Sequence, residues 1–318
     1  MDTTSNPQGS IARLAPDEIE SPPLTLRELA FRKFRRHKMA IFGLVVLVLM
    51  IFYAFGGAFF VSEAYSNFTD TKLRLKAPSA IHYFGTDTVG RDILARTIYG
   101  GQISIIIGLT AMMVETIVGV LIGAIAGYYG GLIDAILMRF TEAMLNIPQI
   151  FLLIVMSKFF SSGVPNLVLF GRTFSGSVVV IVLIIGLTSW PYLARIVRAE
   201  FLSIKENEFI LAARATGTPT RQIIFKHILP NSVAPIVVSA TLGVANAITL
   251  EAYISFLGMG VRAPTATWGN MLENAYSYIE TAWWMWFFPG ILIVLIVLGI
   301  NFLGDGLRDA LDPRSRAA

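Results

Sequence analysis

The stretch from residue 103 to residue 128 reads ISIIIGLTAMMVETIVGVLIGAIAGY and carries one charged residue, Glu115. An apolar run of this length matches the roughly 20 residues that an α-helix needs to cross the hydrocarbon core of a bilayer. Backbone exposed to lipid must satisfy its hydrogen bonds internally, so such a segment is helical. The stretch therefore predicts a transmembrane helix.

The rest of the 318-residue chain has the same character, with 55% hydrophobic and 14% charged residues. Soluble domains average about 25% charged residues, so the composition excludes a soluble enzyme and a disordered chain. With no cysteine, the chain lacks a disulfide framework, a thiolate metal site and a cysteine nucleophile. Six segments are predicted to span the membrane: 39–61, 103–128, 134–160, 177–196, 232–257 and 283–303. The predicted fold class is an all-α polytopic membrane protein whose transmembrane domain covers residues 39–305.

The distribution of lysine and arginine predicts the orientation. If the N-terminus is cytoplasmic, 17 of the 25 basic residues lie inside and 8 lie outside. Cytoplasmic loops carry the excess of basic residues, so both termini and loop 195–231 are expected inside. Loop 62–102 is then external, although it holds five basic residues.

The segment before the first span divides into two parts. Residues 1–24 are polar and rich in proline, which predicts a disordered cytoplasmic tail and not a cleavable signal peptide. Residues 25–38 predict a basic helix that opens with a capping box at Thr25 and Glu28. We interpret this helix as an interfacial membrane anchor, in preference to a nucleic-acid-binding element. Residues 306–318 are expected to form a cytoplasmic C-terminal tail.

Two acidic residues lie within predicted spans, Glu115 and Glu251. A carboxylate in a bilayer is costly, so each is expected to face the bundle interior, either in a translocation path or hydrogen-bonded to a neighbouring helix. Gly119, Gly123 and Gly127 recur every four residues on the second span. This spacing favours close helix packing over a surface that faces a ligand.

Residues 195–231, called the elbow below, are too long for a simple turn. Ser203 and Glu206 predict a capping box and a helix over 204–216, which Gly217 ends in the left-handed conformation. Thr218 and Pro219 predict the start of a second helix that ends at Pro230. The elbow is either a docking surface for a cytoplasmic partner or a helix pair that lies on its own bundle.

The elbow resembles the Glu-Ala-Ala signature of permease subunits of prokaryotic ABC importers. That signature runs Glu-Ala-Ala, three residues, Gly, nine residues, Ile, one residue, Leu-Pro. The matching residues are Ala212, Ala213, Gly217, Leu229 and Pro230. Leu211 replaces the signature glutamate and His227 its isoleucine, and Glu208, one turn earlier, is a possible substitute for the glutamate.

Four further stretches are similar to the C-type permease subunit of oligopeptide and dipeptide importers. They are FGTDTVGRD at 84–92, GYYGG at 127–131, SFLGMG at 255–260 with WG at 268–269, and NFLGDGLRDALDP at 301–313. This resemblance implies the type I importer permease fold in the bacterial cytoplasmic membrane, with six helices and both termini inside. It also implies a B-type permease partner, two ATPase subunits that bind ATP and magnesium, and an extracytoplasmic binding protein.

The function implied by this resemblance is import of di- or oligopeptides by alternating access, with the elbow as the ATPase-coupling element. Glu115 and Glu251, chosen for the cost of burying a carboxylate, are then the candidate path residues. The chain has no Walker A sequence and is not itself expected to be an enzyme or to bind a cofactor, a metal or nucleic acid. A permease for nickel or another small solute is the alternative within the family, although His37, His82 and His227 all lie outside the spans. An ATP-independent secondary transporter or channel and a membrane-embedded enzyme are the alternatives from other classes.

Overall fold

The computed structural model describes residues 26–160, 164–169, 172–273 and 275–311. The predicted tail 1–24 and the last part of the predicted C-terminal tail lie outside these residues. The helices are α1 (Leu26–Arg36), α2 (Lys38–Ile51), α3 (Glu63–Asn67), α4 (Ile93–Tyr129), α5 (Gly131–Asn146), α6 (Gln149–Phe160), α7 (Gly176–Ser189), α8 (Pro191–Ile204), α9 (Glu208–Ala215), α10 (Thr220–Gln222), α11 (Leu229–Asn231), α12 (Val233–Phe256), α13 (Trp268–Met271) and α14 (Trp284–Leu311). Two short strands, β1 (Leu167–Leu169) and β2 (Arg172–Phe174), pair as an antiparallel hairpin between α6 and α7.

Six membrane-spanning units can be assigned in the described residues, as the sequence predicts. Four are long apolar helices: Lys38–Phe59, which continues α2, and α4, α12 and α14. The other two are bent pairs, α5 with α6 at 87° and α7 with α8 at 43°. Among the described residues there are thus four single-helix spans and, with each bent pair counted as one span, two broken ones.

Prolines account for both breaks. Pro148 has no backbone N–H to continue a helix, and Ile147 before it adopts the extended conformation (φ −81°, ψ 122°) that a following proline favours. Pro191 occupies the first turn of α8, where its missing N–H costs no helical hydrogen bond. Each broken span therefore exposes backbone ends within the bundle.

The long helix α4 lies at the centre of the bundle and packs against α7, α8 and α12. Its 37 residues correspond to about 55 Å, longer than the hydrocarbon core of about 30 Å. On the other side, α2 packs closely on α14, because a Cβ atom on Gly43 would lie 2.6 Å from the carbonyl oxygen of Gly299. Glycine at position 43 therefore sets this helix spacing.

The helix of the second span starts earlier than the predicted span 103–128. The helix begins at Ile93 and is continuous with the second span, so the connecting segment ends at Asp92 and not at residue 102. Asp92 is the N-cap and accepts a hydrogen bond from the backbone N–H of Ala95 at 2.9 Å. Its other oxygen lies 2.8 Å from Nδ1 of His82, so this aspartate pairs with the histidine and not with Arg96.

The basic segment before the first span is helical, as predicted, and forms α1. His37 separates it from α2, and Nδ1 of His37 accepts a hydrogen bond from the backbone N–H of Ala40 at 3.0 Å. Nε2 of the same ring lies 3.3 Å from Asp309 near the end of α14. The two chain ends of the described bundle are thus held together.

Candidate functional site

A cavity of about 500 Å³ lies where both broken spans are interrupted. Its lining comes from α4, from both broken pairs and from α12. The lining residues are Glu115, Met144, Leu145, Ile147, Pro148, Gln149, Thr188, Ser189, Pro191, Tyr192, Leu193, Ile196, Ser239, Leu242, Gly243 and Asn246. Non-helical backbone at membrane depth is tolerated where it lines a cavity, so the two breaks and the cavity are parts of one feature.

A hydrogen bond joins the two breaks across the cavity wall. Nε2 of Gln149, the first residue of α6, donates to Oγ of Ser189, the last residue of α7, at 2.8 Å. Neither residue was identified from the sequence, because their proximity depends on two bends separated by 40 residues. The prolines were the available signal, but a proline alone does not distinguish a bent path helix from a bent packing helix.

Glu115 projects from α4 into the wall of this cavity. Only 9% of the residue is exposed, and its Oε2 atom is buried with no hydrogen-bond partner among the described residues. A Cβ atom on Gly243 of α12 would lie 3.3 Å from Oε2. Glycine at position 243 therefore leaves room for the carboxylate. The sequence left open whether Glu115 lines a path or bonds a neighbouring helix; it borders the cavity, and its Oε2 atom has no hydrogen-bond partner among the described residues.

Glu251 has a different environment, although its position in the sequence pattern is the same. It is fully buried, and its two carboxylate oxygens accept hydrogen bonds from Ser255 at 2.7 Å and from Ser104 at 3.2 Å. Oγ of Ser104 in turn accepts from the backbone N–H of Trp268, which is completely buried. Glu251 is therefore part of a hydrogen-bonded network that fixes α13 between α4 and α12, and it does not line the cavity beside Glu115. Its assignment to a path stays a prediction.

A second cavity of about 510 Å³ adjoins the first. The two share Ile196, Ser239 and Leu242 in their linings. The second cavity also reaches Glu200 on α8, Asn231 at the end of the elbow and Arg308 on α14. The two cavities follow one another along α8 and α12, from Glu115 toward the elbow end of the bundle, and are together called the groove below.

The glycine repeat of α4 packs against α8, as the sequence favours. A Cβ atom on Gly119 would lie 3.0 Å from the Cβ atom of Leu193, and one on Gly123 would lie 2.8 Å from that of Val197. One on Gly127 would lie 2.6 Å from Cβ of Phe201. These positions bring the two helices together along most of α8.

Two ionic contacts reinforce this helix pair at the elbow end. Arg198 on α8 donates to both carboxylate oxygens of Asp134 on α5, at 2.5 Å from Nε and 2.6 Å from Nη2. Lys205 donates to the carbonyl oxygen of Gly127 at 3.1 Å. The sequence analysis did not identify these three side chains, because their partners lie on other helices and no spacing rule relates them.

The elbow contains a short exposed helix, but it begins later than predicted. Ser203 does not cap a helix; it lies inside α8, whose buried residues Phe201 and Ile204 pack against the bundle. This tertiary packing prevails over the local capping signal, and α9 begins at Glu208 with Asn207 as its N-cap. The predicted helix 204–216 is thus eight residues long, Glu208–Ala215.

The predicted stop at Gly217 is confirmed. Its φ angle is +77°, the backbone N–H of Gly217 donates to Arg214 at 2.9 Å, and that of Thr218 donates to Ala213 at 3.0 Å. These two bonds define a Schellman motif, which satisfies the carbonyls at the helix end. The next helix starts at Thr220 with Pro219 as its N-cap, one residue later than the sequence suggests.

The second elbow helix is irregular. A π-helical segment, Ile223–Ile228, precedes α11, and Pro230 lies in the first turn of α11. Pro230 therefore does not end the helix as predicted; the chain turns at Ser232. Leu229 is partly buried against the same apolar cluster that holds Ile210, and Pro230 is exposed.

The two sides of α9 differ in burial. Ile210 is fully buried and anchors the helix against Phe201 and Ile223. Glu208, Leu211 and Ala212 are exposed, as is Phe209, and Ala213 is partly buried; the side chains of Leu211 and Phe209 are 47% and 46% exposed. The guanidinium carbon of Arg214 lies 5.6 Å from the ring centroid of Tyr128 at the end of α4. The elbow is thus held by the bundle on one side and presents an apolar, unpartnered surface on the other.

The fold and the site define a class of protein: a polytopic helical membrane protein with a cavity at two broken spans and a short exposed helix, α9, at one end. Residues 119–317 match the family described as binding-protein-dependent transport system inner membrane component, and residues 25–78 match the N-terminal transmembrane domain of oligopeptide transport permease C. The chain belongs to this family of ABC transporter permeases, multi-pass proteins of the inner membrane.

Relatives and one solved structure agree with this membership. The chain is 41% identical to the dipeptide transport system permease protein DppC of Alkalihalophilus pseudofirmus, over 91% of this chain and 90% of that protein. It is 38% identical to the oligopeptide transport system permease protein OppC of Haemophilus influenzae, over 94% and 93%. A chain of the inward-facing MetNI methionine ABC transporter has a TM-score of 0.53 at 21% identity, over 67% of this chain and 94% of that one, and supports the fold alone.

Proposed function

We propose that this chain is the C-type permease subunit of an ATP-driven importer of di- or oligopeptides. The observation that carries the proposal is the similarity, over about nine-tenths of both chains, to permeases named for dipeptide and oligopeptide transport. In this proposal the chain pairs with a B-type permease, two ATPase subunits and an extracytoplasmic binding protein. ATP and magnesium are held by the ATPase subunits, and this chain contributes no catalytic residue.

In the proposed orientation both termini and the elbow are cytoplasmic. The groove that begins at Glu115 then leads toward the cytoplasm, and the two broken spans line the deepest part of the path. Discontinuous helices of this kind line substrate sites in transporters of other folds. The cavity volume is within the range of about 300–1,000 Å³ that is usual for small-molecule sites.

The proposed coupling element is α9. Ile210 fixes it to the bundle, and its exposed residues Glu208, Leu211 and Ala212 enter a cleft on an ATPase subunit. Leu211, in place of the signature glutamate, gives this contact an apolar character that Phe209 extends. Glu208 and Arg214 supply charge at the two ends of the helix, so the docking orientation is defined by an apolar centre and two polar ends.

The proposed transmission element is α8. This helix runs from Pro191 in the cavity to Ile204 in the elbow, shortly before α9, and its length of 14 residues is about 21 Å. Because α8 is packed along α4 and bonded to Asp134, a displacement of α9 moves the cavity wall with it. Closure of the ATPase subunits on ATP thereby changes the shape of the cavity around Tyr192 and Leu193.

The test is reconstitution of the complete complex in proteoliposomes with its binding protein. The expected result is uptake of radiolabelled di- or tripeptides that requires ATP and the binding protein, with ATP hydrolysis stimulated by peptide. Peptide transport fails as the assignment if ATP hydrolysis responds to nickel or another small solute and not to a panel of peptides. Uptake without any ATPase subunit would instead identify a secondary transporter or a channel.

A further inference from the structure

The carboxylate of Glu115 is the one charged group among the described residues that line the main cavity. The other polar side chains there are uncharged: Gln149, Thr188, Ser189 and Asn246, with Tyr192 and Ser239 nearer the second cavity. No lysine, arginine or histidine belongs to this lining. The negative charge is therefore not compensated by a cationic side chain of this chain within the cavity.

Among the described residues, no hydrogen bond compensates the buried Oε2 atom of Glu115 either. Both carboxylate oxygens of Glu251, in contrast, accept hydrogen bonds, one from Ser255 on the next turn of α12 and one from Ser104 on α4. An unpaired buried polar group is destabilising, and more so when it is charged. A permanent packing role for Glu115 would be expected to resemble Glu251, with donors supplied by neighbouring helices.

Glu115 lies at the edge of the cavity and packs closely against α12. A Cβ atom on Gly243 would lie 3.3 Å from Oε2, so glycine at that position accommodates the carboxylate. The hydrogen bond between Gln149 and Ser189 ties together two other helices that line the same cavity. The carboxylate thus borders a cavity of about 500 Å³ whose other polar side chains are neutral hydrogen-bonding groups.

We propose that Glu115 forms a cation subsite in the translocation cavity, which binds an ammonium group of the transported solute during its passage. This inference rests on the proposed function, because a peptide carries an α-ammonium group and, in lysine-containing peptides, a second one. Ammonium groups offer three N–H donors to a carboxylate. The neutral amide and hydroxyl groups of the lining hydrogen-bond the peptide without competing for its charge.

A subsite of this kind stabilises the charged end of the solute where hydration is poorest. It also has to release the solute, so a single carboxylate without further charges is suited to transient binding. The second cavity, whose lining includes both Glu200 and Arg308, lies next on the proposed way out.

The first test uses cysteine labelling, since the chain has no native cysteine. In the assembled complex, Ser239→Cys places a thiol in the lining shared by both cavities. Two methanethiosulfonate reagents are used, a cationic one (trimethylammonioethyl) and an anionic one (sulfonatoethyl). For each reagent, the rate of reaction with the protein thiol is divided by the rate of reaction of the same reagent with free 2-mercaptoethanol. The mass of this chain reports the modification, so cysteines in other subunits do not interfere.

A negatively charged subsite is expected to raise the ratio of the normalised cationic rate to the normalised anionic rate from one to about ten. Glu115→Gln should return the ratio to about one, and Glu115→Asp should preserve most of it. Glu206→Gln, on the exposed turn before α9, is the matched acidic control and should leave the ratio unchanged. Equal ratios in the wild type and in Glu115→Gln would overturn the proposal, because the carboxylate would then be neutral or covered by a cation of the partner permease.

The second test measures uptake of three tripeptides that differ only in a central lysine, glutamine or glutamate, at saturating binding protein. Glu115→Gln is expected to lower turnover of all three and to lower that of the lysine peptide most, by about tenfold or more, as for a lost charged hydrogen bond. Unchanged turnover of all three in an intact complex overturns the inference. If the wild type imports none of them, the peptide assignment fails, and the labelling ratio still decides whether the cation subsite exists.

Discussion

Replacement of Gly217 by valine tests whether the left-handed turn that ends α9 is needed for coupling. The space around a new Cβ atom is open, so packing interferes little. The φ angle of Gly217 is +77°, and a Cβ atom there would meet no atom within 4 Å. The penalty therefore comes from the backbone, and a residue with a Cβ in the left-handed region costs about 1–2 kcal/mol. A chain that escapes this strain gives up the hydrogen bonds from Gly217 to Arg214 and from Thr218 to Ala213.

We expect the valine variant to reduce the population of elbows with the native turn at residue 217 by about 5- to 30-fold, which is the ratio that 1–2 kcal/mol produces. The assay is ATP hydrolysis by the reconstituted complex, stimulated by peptide-loaded binding protein. Gly217→Asn is the matched control, because asparagine also occurs at left-handed helix ends and should retain most of the activity. Cross-linking from Ala212→Cys to an ATPase subunit should fall in parallel with hydrolysis.

The reasoning is refuted if the valine and asparagine variants both show full stimulated hydrolysis and wild-type cross-linking. The left-handed bend would then be irrelevant to docking. A further variant, Ala213→Asp, distinguishes the orientation of α9, which Gly217 is expected to set, from the proposed contact of α9 with an ATPase subunit. It keeps the bend but puts a charge on the partly buried side of α9, so it should lose cross-linking while Gly217 stays unstrained.

Three other predictions follow from the bundle. Ser203→Cys should react with a membrane-impermeant reagent in inside-out vesicles only, and labelling from outside intact cells would contradict the proposed orientation. Gly123→Val should lower the melting temperature of the purified complex, since overpacking costs about 1–3 kcal/mol, whereas Gly290→Ala, where a Cβ meets nothing within 4 Å, should not. A double-mutant cycle with Asp134→Asn and Arg198→Gln should give a coupling energy of about 1 kcal/mol in thermal unfolding. A coupling energy of zero would show that the ion pair does not stabilise the packing of α5 on α8.

The spans were predictable because bilayer length and apolar composition are local properties of the sequence. The stop at Gly217 was also predictable, since a left-handed helix end depends on the conformational freedom of one residue. The glycine repeat at positions 119, 123 and 127 correctly indicated close packing, although the pattern does not name the partner helix. The partner is α8, and its identity depends on how the two broken spans fold back.

The local capping signals were less reliable than the apolar pattern. The box at Ser203 is a valid motif, yet Phe201 and Ile204 bury the same segment as the last turn of α8. There, burial of apolar residues in the bundle outweighs a capping interaction of about 1 kcal/mol.

Glu115 and Glu251 show where sequence reasoning reaches its limit. Both are single acids in apolar spans, and the cost of burial predicts only that each avoids lipid. The difference between them comes from residues distant in the chain. Ser104 lies 147 positions from Glu251 and satisfies it, whereas Gly243 faces Glu115 and offers no donor side chain. No periodicity or spacing rule encodes such pairings.

One helix, α8, joins the cavity to α9 in the elbow, and this connection suggests how the break in its span contributes to coupling. Pro191 starts α8 in the cavity wall, and Ile204 ends it three residues before the N-cap of α9 at Asn207. The break before Pro191 frees α8 from α7, with which it makes a 43° angle, while the glycines of α4 keep it aligned along its length. A continuous fourth span would tie the elbow rigidly to the far side of the membrane. We propose that the proline break instead lets α8 and α9 move as a unit against α7, while the Gln149–Ser189 hydrogen bond joins α6 to α7 outside that unit.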